Sequence, residues 1–404
     1  MADVDLDVHS LSSVLDDTDS RLRAETGPAR MWPTGFAALD DVLSGGLRGG
    51  NLILLSGAQG LGKTTMAVQM ARNSARSGRQ VLYFCYEHDP QSILERILAL
   101  EIGELNDPKG ANLVRIRQAF EGVDHGTGGL TDRLADVRGA IPALQKMVAY
   151  TDRIHVHRSS GNTTSMQVIT NAVEQVWRQT GEAPMVVVDY LQKVHDTSSD
   201  VEAERVTVVV EQLKDLSLDA KVPVLAIVAA DKDGLETGKR LRAQHLRGST
   251  ALAYEADVLL VLAHKYQIIA RHHLVFDAGA AERFKDWAVV SVEKNRNGRD
   301  GVDLEFRKRF DQSRYEQEGN RVVEKLVDER LYVVHQGSAY VTISVLDAGK
   351  EGHEKPIVRI YAQVVSGVRP EPSLLKQLLT LNARMRFGAF AYVPEGDVVL
   401  FVHS

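Results

Sequence analysis

The 404-residue chain carries 48 Lys and Arg against 54 Asp and Glu, a formal charge of −6, with 44% hydrophobic and 25% charged residues. This is the composition of a globular protein long enough for one large α/β domain and a smaller one. It excludes a disulfide framework, since Cys85 is the single cysteine, and a generally basic surface for nucleic acid, so any DNA contact has to be local.

Residues 1–30 are acidic and Ser-rich, and the pattern predicts a mostly disordered tail with one helix around Leu11–Val14. The tail lacks a basic-then-apolar leader, and no run approaches about 18 apolar residues, so a cytoplasmic protein without a membrane partner is expected. The apolar run 51–57 reads as a short buried strand and 64–78 as a helix. Between and around them lies Gly57-Ala58-Gln59-Gly60-Leu61-Gly62-Lys63-Thr64-Thr65. This is the spacing of a phosphate loop, with strand before and helix after. Glycines let successive N–H groups turn inward around phosphate oxygens, Lys63 carries charge to the β/γ-phosphates, and the Thr64 hydroxyl can ligate Mg²⁺. The helix N-terminus adds its dipole to the anion site. ATP and Mg²⁺ are the expected ligands.

The run 81–87 reads as a second buried strand, with Cys85 in the core and Glu87 at its tip as the base for an attacking water. Polar Gly-rich stretches such as 122–129 read as a surface excursion between helices. The run 185–192 is a buried parallel strand ending in Asp189, placed to reach Mg²⁺. Val206, Val209, Leu213 and Leu216 mark a helix, and 222–230, 257–265, 288–296 and 302–310 read as further strands. Strands alternating with helices over 31–310 predict a mostly parallel sheet covered on both faces. The stretch 232–310 is richer in Lys and Arg, including Lys239, Arg240, Arg242, Arg247, Lys294, Arg296, Arg299, Arg307, Lys308 and Arg309, with acids interspersed. Composition leaves a nucleic-acid patch and a solvated charged face equally open.

Residues 311–330 read as a charged linker or helix. Residues 331–404 read as a small α+β module, with a helix over 374–385 and a hairpin about the turn 394–397. The sequence stops inside an apolar run, so this module is expected either to be incomplete or to finish by pairing with another element.

The segment 34–310 resembles the RecA-like ATPase domain of the DnaB helicase family. The resemblance rests on TGFAALDDVLSGGL (34–47), the phosphate loop, YFCYEHDP (83–90), DYLQ (189–192), LRGSTALAYEADVLLVL (246–262) and EKNRNGRDG (293–301), in family order. It implies a RecA-like P-loop fold and an ATP-hydrolysing homo-oligomeric ring, a hexamer, acting on single-stranded DNA. It maps the catalytic base to Glu87 and the metal aspartate to Asp189. It also implies that Lys294 and Arg296 reach the γ-phosphate of a neighbouring subunit, and that the loop around Arg247 faces DNA. The sequence departs from the family in three places. Only about 30 residues precede the domain, where the family carries a helical collar. Ala229 stands where the family keeps a γ-phosphate-sensing glutamine, and His245 where it keeps an acid. Residues 374–404 resemble the YbjN and type III secretion chaperone fold, which implies a protein partner docking on 331–404. Two readings therefore compete: a DNA motor, and an ATP-driven protein-binding switch without strand separation.

Overall fold

The computed structural model describes residues 9–23, 31–121, 128–231, 241–248, 250–265, 284–317, 323–326, 331–336, 339–346, 357–366, 371–383, 389–393 and 398–403. Helix α1 (Leu11–Arg23) begins at the helix expected around Leu11–Val14 and extends beyond it. Leu11, Val14, Leu15 and Leu22 fall at helical spacing on a chain of polar residues, and Arg23 donates to Asp19 one turn back at 2.7 Å. A short ribbon of β1 (Met31–Trp32) and β2 (Leu47–Arg48) brackets helix α2 (Ala37–Val42).

Among the described residues the main sheet has nine strands. They are β3 (Leu52–Gly57), β4 (Val81–Cys85), β5 (Ile154–Arg158), β6 (Met185–Asp189), β7 (Val224–Ala229), β8 (Val258–His264), β9 (Trp287–Asn295), β10 (Val302–Arg309) and β11 (Arg314–Gln317). Their spatial order is β11-β10-β9-β8-β3-β7-β6-β4-β5. From β8 to β5 the pairings are parallel. Every residue of β3, β4 and β6 is buried, as a strand covered on both faces requires. The covering helices include α3 (Lys63–Arg76), α4 (Pro90–Glu104), α5 (Leu113–Glu121), α6 (Leu130–Leu134), α7 (Ala140–Met147), α8 (Met166–Thr180), α9 (Glu202–Asp219) and α10 (Ala251–Glu255).

The structure adds to the expected layout at three points. The sheet is mostly parallel, as expected, but β9, β10 and β11 form an antiparallel edge, and the short turn joining β9 to β10 cannot accommodate a crossover helix. The sheet does not stop at 310: within the stretch expected to be a linker or helix, Arg314–Gln317 pairs with β10 and Val323–Leu326 is a strand. Strand β5 is an edge strand whose polar histidines, His155 and His157, break the apolar run that marked the others. The excursion expected at 122–129 and the turn at 394–397 lie wholly or largely outside the described residues.

Asp257 ties the core at the amino edge of the sheet. Its carboxylate, 5% exposed, accepts the N–H of Leu52 at 2.8 Å and the ammonium of Lys214 at 2.7 Å. Removing Asp257 should cost about 3–5 kcal/mol, because the largely buried Lys214 ammonium loses its carboxylate.

Among the described residues the C-terminal module has a six-stranded antiparallel sheet. Strands β12 (Val323–Leu326), β13 (Leu331–Gln336), β14 (Ala339–Leu346), β15 (Ile357–Ser366), β16 (Ala389–Val393) and β17 (Val398–His403) take the order β12-β13-β14-β15-β17-β16. Helix α11 (Pro372–Asn382) ends at Asn382, whose side-chain amide brackets the backbone of Phe390 at 2.6 and 2.8 Å. The final apolar run, β17, is paired on both sides, to β15 and β16.

Candidate nucleotide site

Central strand β3 delivers Gly57 to the carboxyl edge of the parallel strands. From there the chain turns through Ala58, the exposed Gln59 and Gly60, and the buried Leu61, which anchors the loop in the core. Gly60 and Gly62 sit at φ +79° and +77°, a region that side chains rarely adopt. A Cβ on Gly62 would fall 2.6 Å from the Phe310 ring, and one on Gly57 would fall 2.8 Å from Leu262. Helix α3 begins at Lys63 with Gly62 at its N-cap and no capping side chain. Its first-turn amides, those of Lys63, Thr64 and Thr65, therefore lack a side-chain acceptor at the cap and suit an anion.

The Lys63 ammonium lies folded over this loop and donates to the carbonyls of Gly57 at 2.8 Å and Ala58 at 3.1 Å. Burial holds its pKa below the usual lysine range, with Asp189 and Glu87 pulling the other way. Asp189 ends β6 and is 2% exposed. It accepts the phenol O–H of Tyr83 at 2.8 Å and a hydrogen bond from the Thr64 side chain. Burial raises its pKa, against those two hydrogen bonds. A hydroxyl and a carboxylate in contact at the mouth of a phosphate loop are hard oxygen donors of the kind Mg²⁺ takes. Among the described residues there is no cluster of three or more His, Cys, Asp or Glu that could hold a metal ion.

Glu87 lies two residues beyond β4, exposed, before helix α4, whose start is set by Asp89 accepting the Ser92 N–H at 2.7 Å and by Pro90. Its charge acts on both Lys63 and Asp189. His88 beside it has its pKa lowered by burial and by Arg96, whose guanidinium is 3.5 Å away. Cys85 is buried, its thiol pushed up to about 11.

Lys294 and Arg296 are not brought to this loop. Lys294 donates to the carbonyls of Ala253 and Tyr254 at 2.8 and 3.0 Å, and Arg296 pairs with Asp257 at 3.2 Å. The register places Asn295 beside Val258 and Val258 beside Ile53, at the amino end of β3. Arg247 also stands apart: its N–H donates to the Ala229 carbonyl at 2.9 Å and its side chain pairs with Glu202 at 3.0 Å. Of the other basic residues, Arg242 pairs with Glu293 and Arg309 with Glu316, so much of the basic stretch is a charge-compensated face. Lys239 and Arg240 lie outside the described residues.

Sequence reasoning missed two residues that support the loop, Tyr83 and Tyr315. The Tyr315 phenol donates to the Leu61 carbonyl, and the Gln69 amide brackets the Tyr315 backbone at 2.7 and 3.0 Å. The one available signal was a tyrosine inside an all-apolar strand, since a buried phenol needs a partner.

Residues 32–316 match the family model of the DnaB-like helicase C-terminal domain, and 316–404 match that of the T3SS (YopN, CesT) and YbjN peptide-binding chaperone 1. The chain is 26% identical over 309 residues to the replicative DNA helicase DnaB of Haemophilus influenzae, covering 75% of this chain and 59% of that protein. It is 27% identical over 282 residues to the DnaB of Pasteurella multocida, covering 69% and 54%. The chain thus spans less than two thirds of the length of these curated relatives. One solved ATPase domain superposes with a TM-score of 0.61 at 18% identity, over 78% of this chain and 100% of that one. A DnaB-like replicative helicase studied with its primase interactions gives 0.59 at 17%, over 77% and 69%. The family match covers well over half of the chain: this protein belongs to the DnaB-like helicase C-terminal domain family.

Proposed function

We propose that this chain is an ATP-hydrolysing motor that assembles as a hexameric ring on single-stranded DNA. The observation that carries the reading is the meeting of Lys63, Thr64 and Asp189 at the mouth of the 57–65 loop. ATP is held by the loop amides. Lys63 exchanges its loop carbonyls for the β/γ-phosphates. Thr64 and Asp189 hold Mg²⁺, which offsets phosphate charge when bound. Glu87 accepts the proton of the attacking water. Lys294 and Arg296 of a neighbouring copy stabilise charge on the transferred phosphoryl group, the role a guanidinium fills by delocalisation. The Arg247 loop contacts the DNA backbone. The test is ATPase rate with and without single-stranded DNA at two salt concentrations, alongside mass in solution. Mg²⁺-dependent hydrolysis, a hexamer mass and salt-weakened DNA binding are expected.

A second reading is an ATP-driven protein-binding switch. Ala229, with no side-chain donor or acceptor where a sensing glutamine is expected, favours it, as does the peptide-binding chaperone match over 316–404. Hydrolysis without DNA binding would select it.

A further inference from the structure

Gln192 connects three segments. It sits in the short helical turn Leu191–Lys193, three residues past Asp189, with Leu191 buried beside it. Its Oε1 accepts the N–H of Ala229 at 3.3 Å, at the end of β7. Its Nε2 donates to the carbonyl of Arg247 at 2.9 Å. The chemistry fixes the amide orientation, because a backbone N–H only donates and a carbonyl only accepts. The circuit is closed by the Arg247 N–H on the Ala229 carbonyl at 2.9 Å and the Asp231 N–H on the His245 carbonyl at 2.9 Å. A methyl side chain at 229 offers nothing polar, so β7 communicates here through its backbone.

We propose that Gln192 is a positioning residue: its amide transmits the state of Asp189 to the Arg247 segment. The proposal rests on the reading of Asp189 as the residue on the metal side of the site. A shift of the β6 tip on nucleotide capture moves the rigid turn that follows it. Gln192 then pulls on one backbone donor and one backbone acceptor on two different segments. A residue that merely fills space could not do this, because both bonds require the amide.

The test is hydrogen exchange of the full-length chain with and without Mg²⁺–ATPγS, read at the Arg247 and Asp231 amides. In the unmodified protein, nucleotide should change their exchange by roughly fivefold, the scale of one net hydrogen bond. Gln192→Leu should bind Mg²⁺–ATPγS within about twofold of the unmodified protein, as its bonds lie outside the phosphate loop, yet lose that change. Gln192→Glu keeps the volume and the acceptor toward Ala229 but offers Arg247 no donor. It should lose the change as well, and it serves if the leucine variant does not fold. A nucleotide-dependent change that survives in these variants overturns the proposal. So does an unmodified protein that binds nucleotide and shows no change at Arg247. Absence of any Mg²⁺–ATPγS binding isotherm is a different failure: it removes the nucleotide reading itself, and this proposal with it.

Discussion

Arg296 is bonded to Asp257 twice, through its guanidinium at 3.2 Å and its backbone N–H at 2.9 Å. Asp257 also accepts the N–H of Leu52, so this pair lies level with the start of β3. Gly57 is five residues further along that strand, on the order of 17 Å away. An arginine side chain rooted there cannot reach the phosphate loop of its own chain. Any action of Arg296 on a γ-phosphate has to come from another copy, after it releases Asp257.

Arg296→Ala should therefore slow hydrolysis on the order of a thousandfold while leaving ATP affinity nearly unchanged. Mixing this variant with Glu87→Gln subunits provides the test. Interfaces that carry both unmodified groups should recover activity. No recovery in rings shown by mass to be mixed would reject action in trans.

Lys63→Ala should abolish ATP binding, because the loop loses the ammonium now resting on the Gly57 and Ala58 carbonyls. Glu87→Gln should bind ATP normally and hydrolyse it poorly, as an amide cannot accept the proton of water. Equilibrium binding and single-turnover rates separate the two. A normal single-turnover rate in Glu87→Gln would remove Glu87 from the mechanism.

Asp189→Asn should stabilise the fold and stop Mg²⁺-dependent hydrolysis. Burial raises the Asp189 pKa above its ordinary 3.8, so the ionised carboxylate costs folding free energy. That cost is absent below about pH 3.8, where the group is neutral folded and unfolded alike, and grows as pH rises through the raised folded value. The asparagine variant should lead in urea midpoint at pH 7, and the lead should shrink towards pH 4. A lead that does not change with pH would contradict burial as the cause.

The two left-handed loop glycines should respond differently to alanine. At Gly60, with φ +79°, an added Cβ would meet nothing within 4 Å, so Gly60→Ala should cost only the backbone strain, about 1–2 kcal/mol. Gly62→Ala adds contacts at 2.6 Å with the Phe310 ring and 2.9 Å with the Tyr315 hydroxyl. It should cost more stability and weaken nucleotide binding further, as measured by thermal unfolding and binding. Equal effects of the two substitutions would show that the 310–315 turn yields freely.

The amino-acid sequence by itself determined the phosphate loop, the buried strands β3, β4 and β6, and the position of Asp189 at a strand tip. Each rests on local information: glycine spacing, uninterrupted apolar runs, an acid ending one of them. Strand β5 escaped because His155 and His157 replace apolar residues on an edge. Strand β11 escaped because a short charged strand looks like a linker until β10 pairs with it. Only the tertiary structure decided that Arg296 belongs to the opposite edge from Lys63, since strand register sets that distance and no local pattern encodes register across separate segments. The same holds for Gln192, which lies 37 residues before Ala229 and 55 before Arg247. Its amide has two partners only because parallel pairing carries the ends of β6 and β7 to one edge of the sheet, where the Arg247 segment passes.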